Sequence, residues 1–167
     1  MSAPIRILGV DPGLRRTGWG VLEADGPRLS WVEHGVIRPD EGAGLADRLG
    51  ALFSGVGEIC RRLSPDMAAV EETFVNINPR STLLLGQARG AVMASLALAP
   101  VRVEEYATRQ VKLSVVGTGA ADKDQVAFMI RRLLPRAGEV SADAADALAV
   151  AVCAAHHGAG RWKRSAT

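Results

Sequence analysis

The sequence is poor in the residues that build cross-linked or metal-stapled folds, with 2 cysteines and 3 histidines among 167 residues. Cys60 and Cys153 fall inside apolar helical patterns, so they read as buried thiols and exclude a disulfide framework. His34, His156 and His157 do not combine with two cysteines on separate helices into a zinc set. Long apolar runs are also missing. The longest, Ala91–Val103, is interrupted by Pro100 and Arg102 and is too short to span a bilayer, which excludes a membrane-spanning helix there. With no signal peptide, the expected compartment is the reducing cytoplasm. Charge imbalance is absent: the formal net charge is +2, so any nucleic-acid surface must come from gathering basic side chains on one face. Those side chains are overwhelmingly Arg, which suits bidentate phosphate contacts and which a GC-rich genome would also produce. No internal repeat or linker divides the chain. The expectation is one domain, residues 1–157, burying roughly two thirds of its unfolded surface, followed by a short basic flexible tail, 158–167.

Within these limits the pattern alternates between strand and helix. Ile5–Val10 reads as a buried strand ending in the turn Asp11-Pro12-Gly13. Gly18–Glu23 and Leu29–Arg38 flank the turn signal Asp25-Gly26-Pro27, giving three antiparallel strands at the start. Leu45, Leu49, Leu52, Val56, Ile59 and Leu63 mark one helical stripe, stopped by Ser64-Pro65-Asp66. Met67–Glu71 is a short strand, Arg80–Leu98 a helix, and Val101–Glu105 a third inner strand closed by Tyr106. A helix or turn covers Thr108–Leu113. Val126, Met129, Ile130 and Leu133 mark a helix ending at Pro135, and a last helix runs from about Ala142 to Ala155. This order predicts an α/β fold: a mixed sheet flanked by helices, its later strands parallel, with sites beyond the strands' carboxyl ends.

Four acids stand where burial should dominate. Asp11 and Glu71 each end an apolar strand, which places them on the same sheet edge. Asp143 and Asp146 open a helix with almost no polar side. Charges beside a core are costly unless paired or bound to metal, so convergence of these carboxylates would mean cation binding and metal-assisted phosphoryl transfer. Each has a plainer reading. Asp11 could simply form its turn. Glu71 and Glu72 point to opposite faces, and the sequence does not choose between them. Asp143, just after the N-cap candidate Ser141, would suit the helix dipole. Asp146 shares a face with Asp143, a repulsive spacing that a cation would reverse.

Basic and aromatic residues surround this set. Lys123 stands near a helix N-terminus, unfavourable for the dipole but well placed to hold a phosphate. Lys112 is the other isolated lysine before the tail, and either could be a solvated side chain. Phe74 lies in a polar loop, where an exposed ring could stack on or wedge between bases. Arg15, Arg16, Arg80 and Arg89 could contact phosphates or simply be solvated. Gly86 and Gly90 give a helix face of small residues, suited to packing on the sheet or to close approach of a second subunit.

Six ordered segments resemble the RuvC family of Holliday-junction resolvases across nearly the whole chain. They are Leu8–Gly13 with Thr17-Gly18, Val70-Glu71 followed by Phe74, Leu85–Gly90, Tyr106–Lys112, Val115–Gly117 and Ala142–Ala149. The resemblance implies an RNase H-like fold, a five-stranded mixed sheet with helices on both faces. It implies a homodimeric, structure-selective endodeoxyribonuclease for homologous recombination and DNA repair. Such an enzyme nicks two strands of like polarity in a four-way DNA junction, using Mg²⁺, with Mn²⁺ able to substitute. Asp11, Glu71, Asp143 and Asp146 would be the catalytic metal-binding carboxylates, holding two ions. Lys112 and Lys123 would be catalytic basic residues and Phe74 the junction-contacting aromatic. The products would carry 5′-phosphate and 3′-hydroxyl ends, and a branch-migration helicase complex would be a partner. Three rivals differ in class. An actin-like kinase or ATPase shares the first loop but needs two such domains. A silent nucleic-acid-binding module would not keep four carboxylates. An RNase H-like nuclease acting on RNA or another branched nucleic acid would not explain the Phe74 loop.

Overall fold

A computed structural model describes residues 3–72 and 77–158. Five strands form one sheet: β1 (Ile5–Asp11), β2 (Thr17–Asp25), β3 (Arg28–Ile37), β4 (Met67–Glu71) and β5 (Arg102–Tyr106). Their order is β3-β2-β1-β4-β5, with β1–β2 and β2–β3 antiparallel and β1–β4 and β4–β5 parallel. Gly26 turns the β2–β3 hairpin at φ 57°, a left-handed conformation that glycine adopts without strain. The expected antiparallel opening and parallel continuation are both present. One strand is placed differently: β5 is an edge strand, not an inner one, because the chain leaves the sheet after it and, among the described residues, no strand pairs with its outer side. Its two glutamates and Arg102 are compatible with that exposed edge.

Alternation along the strands sends side chains into two layers. Leu8, Val10, Val21, Ala68 and Val70 face α1 (Leu45–Leu63) and α2 (Pro79–Leu98). Ile7, Leu22, Met67, Ala69 and Tyr106 face α3 (Thr108–Val116), α4 (Lys123–Leu133) and α5 (Ala142–Gly158). The α1 stripe buries Leu52, Val56, Ile59 and Leu63, while Leu45 at its first turn is exposed. Ser64, at φ 46° and ψ 57°, ends that helix by donating its N–H to the Cys60 carbonyl. The helix α5 lies in the middle of its layer and is buried on nearly every side from Ala144 to Ala155. It extends through Gly158, past its expected end and one residue into the expected tail, whose remainder lies outside the described residues. Among the described residues no helix is long and apolar enough to cross a membrane.

Two glycines bring α5 onto the sheet. A Cβ on Gly9 would meet the Ala147 carbonyl oxygen at 2.0 Å, and one on Gly18 would meet the Asp143 carbonyl oxygen at 2.0 Å. Both distances are far inside van der Waals contact, so the helix backbone seats only where side chains are missing. This close approach sets the acidic start of α5 against the ends of β1 and β2.

Candidate active site

The strand alternation decides which acids meet. On β1, Ile7 and Gly9 face α5, so Asp11 does too; on β4, Met67 and Ala69 face the same layer, so Glu71 follows. The choice between Glu71 and Glu72 is therefore geometric. Glu72 lies beyond the strand, its N–H bonded to the Tyr106 carbonyl at 2.9 Å.

Local capping presents the remaining groups. Ser141 accepts a bond from the Ala144 N–H at 3.3 Å and starts α5, so Asp143 and Asp146 occupy its first turns. Asp122 caps α4 through a reciprocal box with Gln125, with bonds of 2.8 and 2.9 Å, which fixes Lys123 as the first residue of that helix. Thr17 is fully buried, its hydroxyl donating to the Gly13 carbonyl at 2.8 Å and accepting from the Gly13 N–H at 3.1 Å. That clasp ties the loop after Asp11 back to β2.

These elements enclose a cleft of about 180 Å³ lined by Asp11, Glu71, Thr108, Lys112, Lys123 and Asp146, with Val111, Val126 and Ala149 as its apolar wall. Burial is the main force on its carboxyls. Asp11 has its pKa pushed up to about 7, first by burial, then by the charges of Glu71 and Asp146, with Lys123 opposing. Glu71 is held above its usual range by burial, against a hydrogen bond from the Thr108 hydroxyl. Asp146 is raised by burial against the pull of Lys123. The Lys123 ammonium stands 3.4 Å from an Asp146 oxygen and is raised in turn, chiefly by that carboxylate. Its side chain is 83% exposed, so it reaches the acids from solvent.

Other expected residues are placed more loosely. Asp143 does not line the cleft; its carboxylate is 4.0 Å from Arg16. It lies near enough to raise both Asp11 and Asp146. Arg15 pairs with Glu41 at 2.9 Å on the surface. Arg80 is exposed at the start of α2, where Asn78 caps the helix. Arg89 is ion-paired with Glu105. Phe74 lies outside the described residues. Thr17 and Thr108 were not singled out for these roles from sequence; a hydroxyl residue beginning a helix or following a turn reads first as a local cap. A larger groove of 680 Å³ between α1 and α2 holds neither the acids nor the lysines.

The donor set is hard oxygen, the kind that Mg²⁺ and Mn²⁺ prefer, and mutually repelling carboxylates in a desolvated cleft favour a cation. Among the described residues no three His, Cys, Asp or Glu side chains already close on one ion. The acids thus share a cleft rather than a preformed cage, and the ammonium of Lys123 supplies its nearest positive charge.

The chain is similar to known proteins over nearly its whole length. The family model described as crossover junction endodeoxyribonuclease RuvC matches residues 7–154. A crossover junction endodeoxyribonuclease RuvC from Hyphomonas neptunium is 64% identical over 166 residues, 99% of each chain. One from Caulobacter vibrioides is 60% identical over 149 residues, 89% of this chain and 88% of the relative. Among solved structures, T. thermophilus RuvC in complex with Holliday junction substrate superposes with a TM-score of 0.87 at 30% identity, covering 94% of this chain and 96% of that one.

Proposed function

The chain belongs to the RuvC family of crossover junction endodeoxyribonucleases and has its RNase H-like fold, and from that premise we propose that it resolves Holliday junctions at the acidic cleft. The observation that carries this reading is the meeting of Asp11, Glu71 and Asp146, from two parallel strand ends and the central helix, in one cleft with Lys112 and Lys123. Asp11, Glu71, Asp143 and Asp146 would hold Mg²⁺, or Mn²⁺ in its place, two ions to a site. The metal would supply Lewis-acid charge neutralisation and a water of lowered pKa for in-line attack on the phosphodiester.

The chain's own groups do the rest. Lys123, on an exposed arm at a capped helix start, balances charge on the phosphate in the transition state. Lys112, one turn beyond Thr108 on α3, adds positive charge on the same wall. The Thr108 hydroxyl keeps the Glu71 carboxylate oriented toward the cleft. Asp11, buried with its carboxyl near neutrality, is driven to its charged form by a cation. Phe74 would contact the bases at the junction, and Arg15, Arg16 and Arg80 the phosphates. The products would be 5′-phosphate and 3′-hydroxyl ends in two strands of like polarity. A homodimer would present two such clefts, and the exposed Gly86 and Gly90 of α2, with open space where a Cβ would sit, suit close approach of a second copy. A branch-migration helicase complex would deliver the junction, as in the family it resembles.

The test uses a synthetic four-way junction and a linear duplex of the same sequence. Tighter metal-free binding to the junction and paired nicks at symmetric positions with Mg²⁺ are expected. Equal affinity for the two DNAs would undermine the substrate assignment.

A further inference from the structure

Glu71 is held from both sides of the sheet. Its carboxylate faces the cleft, where Thr108 and the lysines act on it. Its backbone carbonyl is reached from the opposite layer by Arg89 of α2, whose Nε donates at 3.3 Å. The same guanidinium ion-pairs through a terminal nitrogen with Glu105 of β5. Only 20% of the Arg89 side chain is exposed, whereas Arg15 and Arg16 are 75% and 63% exposed. A planar guanidinium offers donors in a rigid fork, so two bonds in different directions fix its position as one do not. Glu71 is the last residue of β4 and Tyr106, its register partner, the last of β5. Arg89 therefore clamps the two strand ends where regular sheet bonding stops.

We propose that Arg89 is a positioning residue for the nuclease reaction: anchored by Glu105, its guanidinium fixes the end of β4 and so sets where the Glu71 carboxylate stands in the cleft. The inference rests on the reading of that cleft as the nuclease site. It stands in place of the expectation that Arg89 contacts a DNA phosphate, since the guanidinium is already engaged by β4 and β5 and only 20% of the side chain is exposed. Glu71 is the last residue of a five-residue strand, so without the clamp its carboxylate loses definition relative to Asp11. A displacement of about 1 Å at a reacting centre can cost roughly 100-fold in rate.

Two variants separate the roles. Arg89→Lys keeps the positive charge a phosphate would need but lacks the fork, and Glu105→Gln removes the anchor while leaving Arg89 intact. The expected result is a fall of roughly 10- to 100-fold in single-turnover junction nicking for both variants, with metal-free junction affinity and its salt slope unchanged. The double variant should be no slower than Arg89→Lys alone, the signature of two residues acting as a unit. Nicking at the wild-type rate by either single variant would overturn the proposal. Weaker metal-free junction binding by Arg89→Lys would mark a bidentate phosphate contact instead and overturn it equally. Wild-type protein that binds the junction without nicking it would remove the underlying reading of the cleft, a failure that the variants alone cannot produce.

Discussion

Asp11 carries the heaviest electrostatic load of the cleft, and its pH dependence can be worked out. Its carboxyl titrates near 3.8 when unperturbed and at about 7 in the fold. A raised acid favours the protonated native state, so this contribution is fully present below about pH 4, fades as pH rises, and is gone above about pH 7. Asp11→Asn should therefore stabilise the metal-free protein at pH 8 and make almost no difference at pH 4. The gain should be on the order of 1–2 kcal/mol, less than full linkage gives, because the carboxyl is part exposed and Lys123 is close. Thermal unfolding in chelator at the two pH values measures it, and a variant effect that does not grow with pH contradicts the burial argument. Added Mg²⁺ should raise the wild-type melting temperature at pH 8 and leave Asp11→Asn largely unmoved. Some of these roles were legible in the sequence and some were not. Asp11 was visible because an apolar strand ran into it. Glu71 was not separable from Glu72, because both faces of β4 are covered and Met-Ala-Ala-Val shows no alternation to read. The pairing of Arg89 with Glu105 was not legible for a different reason: the two residues lie on different elements, and sequence does not show that contact.

At the scale of elements, the contact between α5 and the sheet organises the site. Gly18 lies under the Asp143 carbonyl and Gly9 under Ala147, so a single methyl at either position pushes the helix away. Gly18→Ala is expected to destabilise the protein by about 1–3 kcal/mol as an overpacked contact. It should also slow nicking beyond what the lost stability explains, because it moves the turn that carries Asp143. Denaturant titration alongside single-turnover kinetics checks both, and a stable, fully active Gly18→Ala protein would refute the role given to this contact. Helical periodicity alone located α1 with its observed bounds, since its stripe and its Ser64-Pro65-Asp66 stop are both strong signals. The position of β5 at the edge was not legible, because strand order depends on crossovers that local pattern does not encode. The intimacy of α5 with β1 and β2 was hidden as well: a glycine in a strand signals close approach without naming what approaches.

For the whole molecule, the sheet and its two helical layers explain why acids distant in sequence share one cleft, and the open face of α2 bears on assembly. Gly86 and Gly90 are exposed, with nothing within 4 Å of an added Cβ. If the proposed dimer forms through this face, Gly90→Trp should leave the monomer folded by circular dichroism but shift sedimentation from dimer toward monomer; a wild-type protein that sediments as a monomer at micromolar concentration would contradict the proposed dimer. The central claim, that the acidic cleft cuts the junction, meets its most direct test in the single-turnover nicking rate of Asp11→Asn. Measured with Mg²⁺ on a four-way junction at saturating protein, that rate should fall on the order of 1,000-fold or more while junction binding stays at the wild-type level. Robust nicking by the Asp11→Asn protein would contradict it.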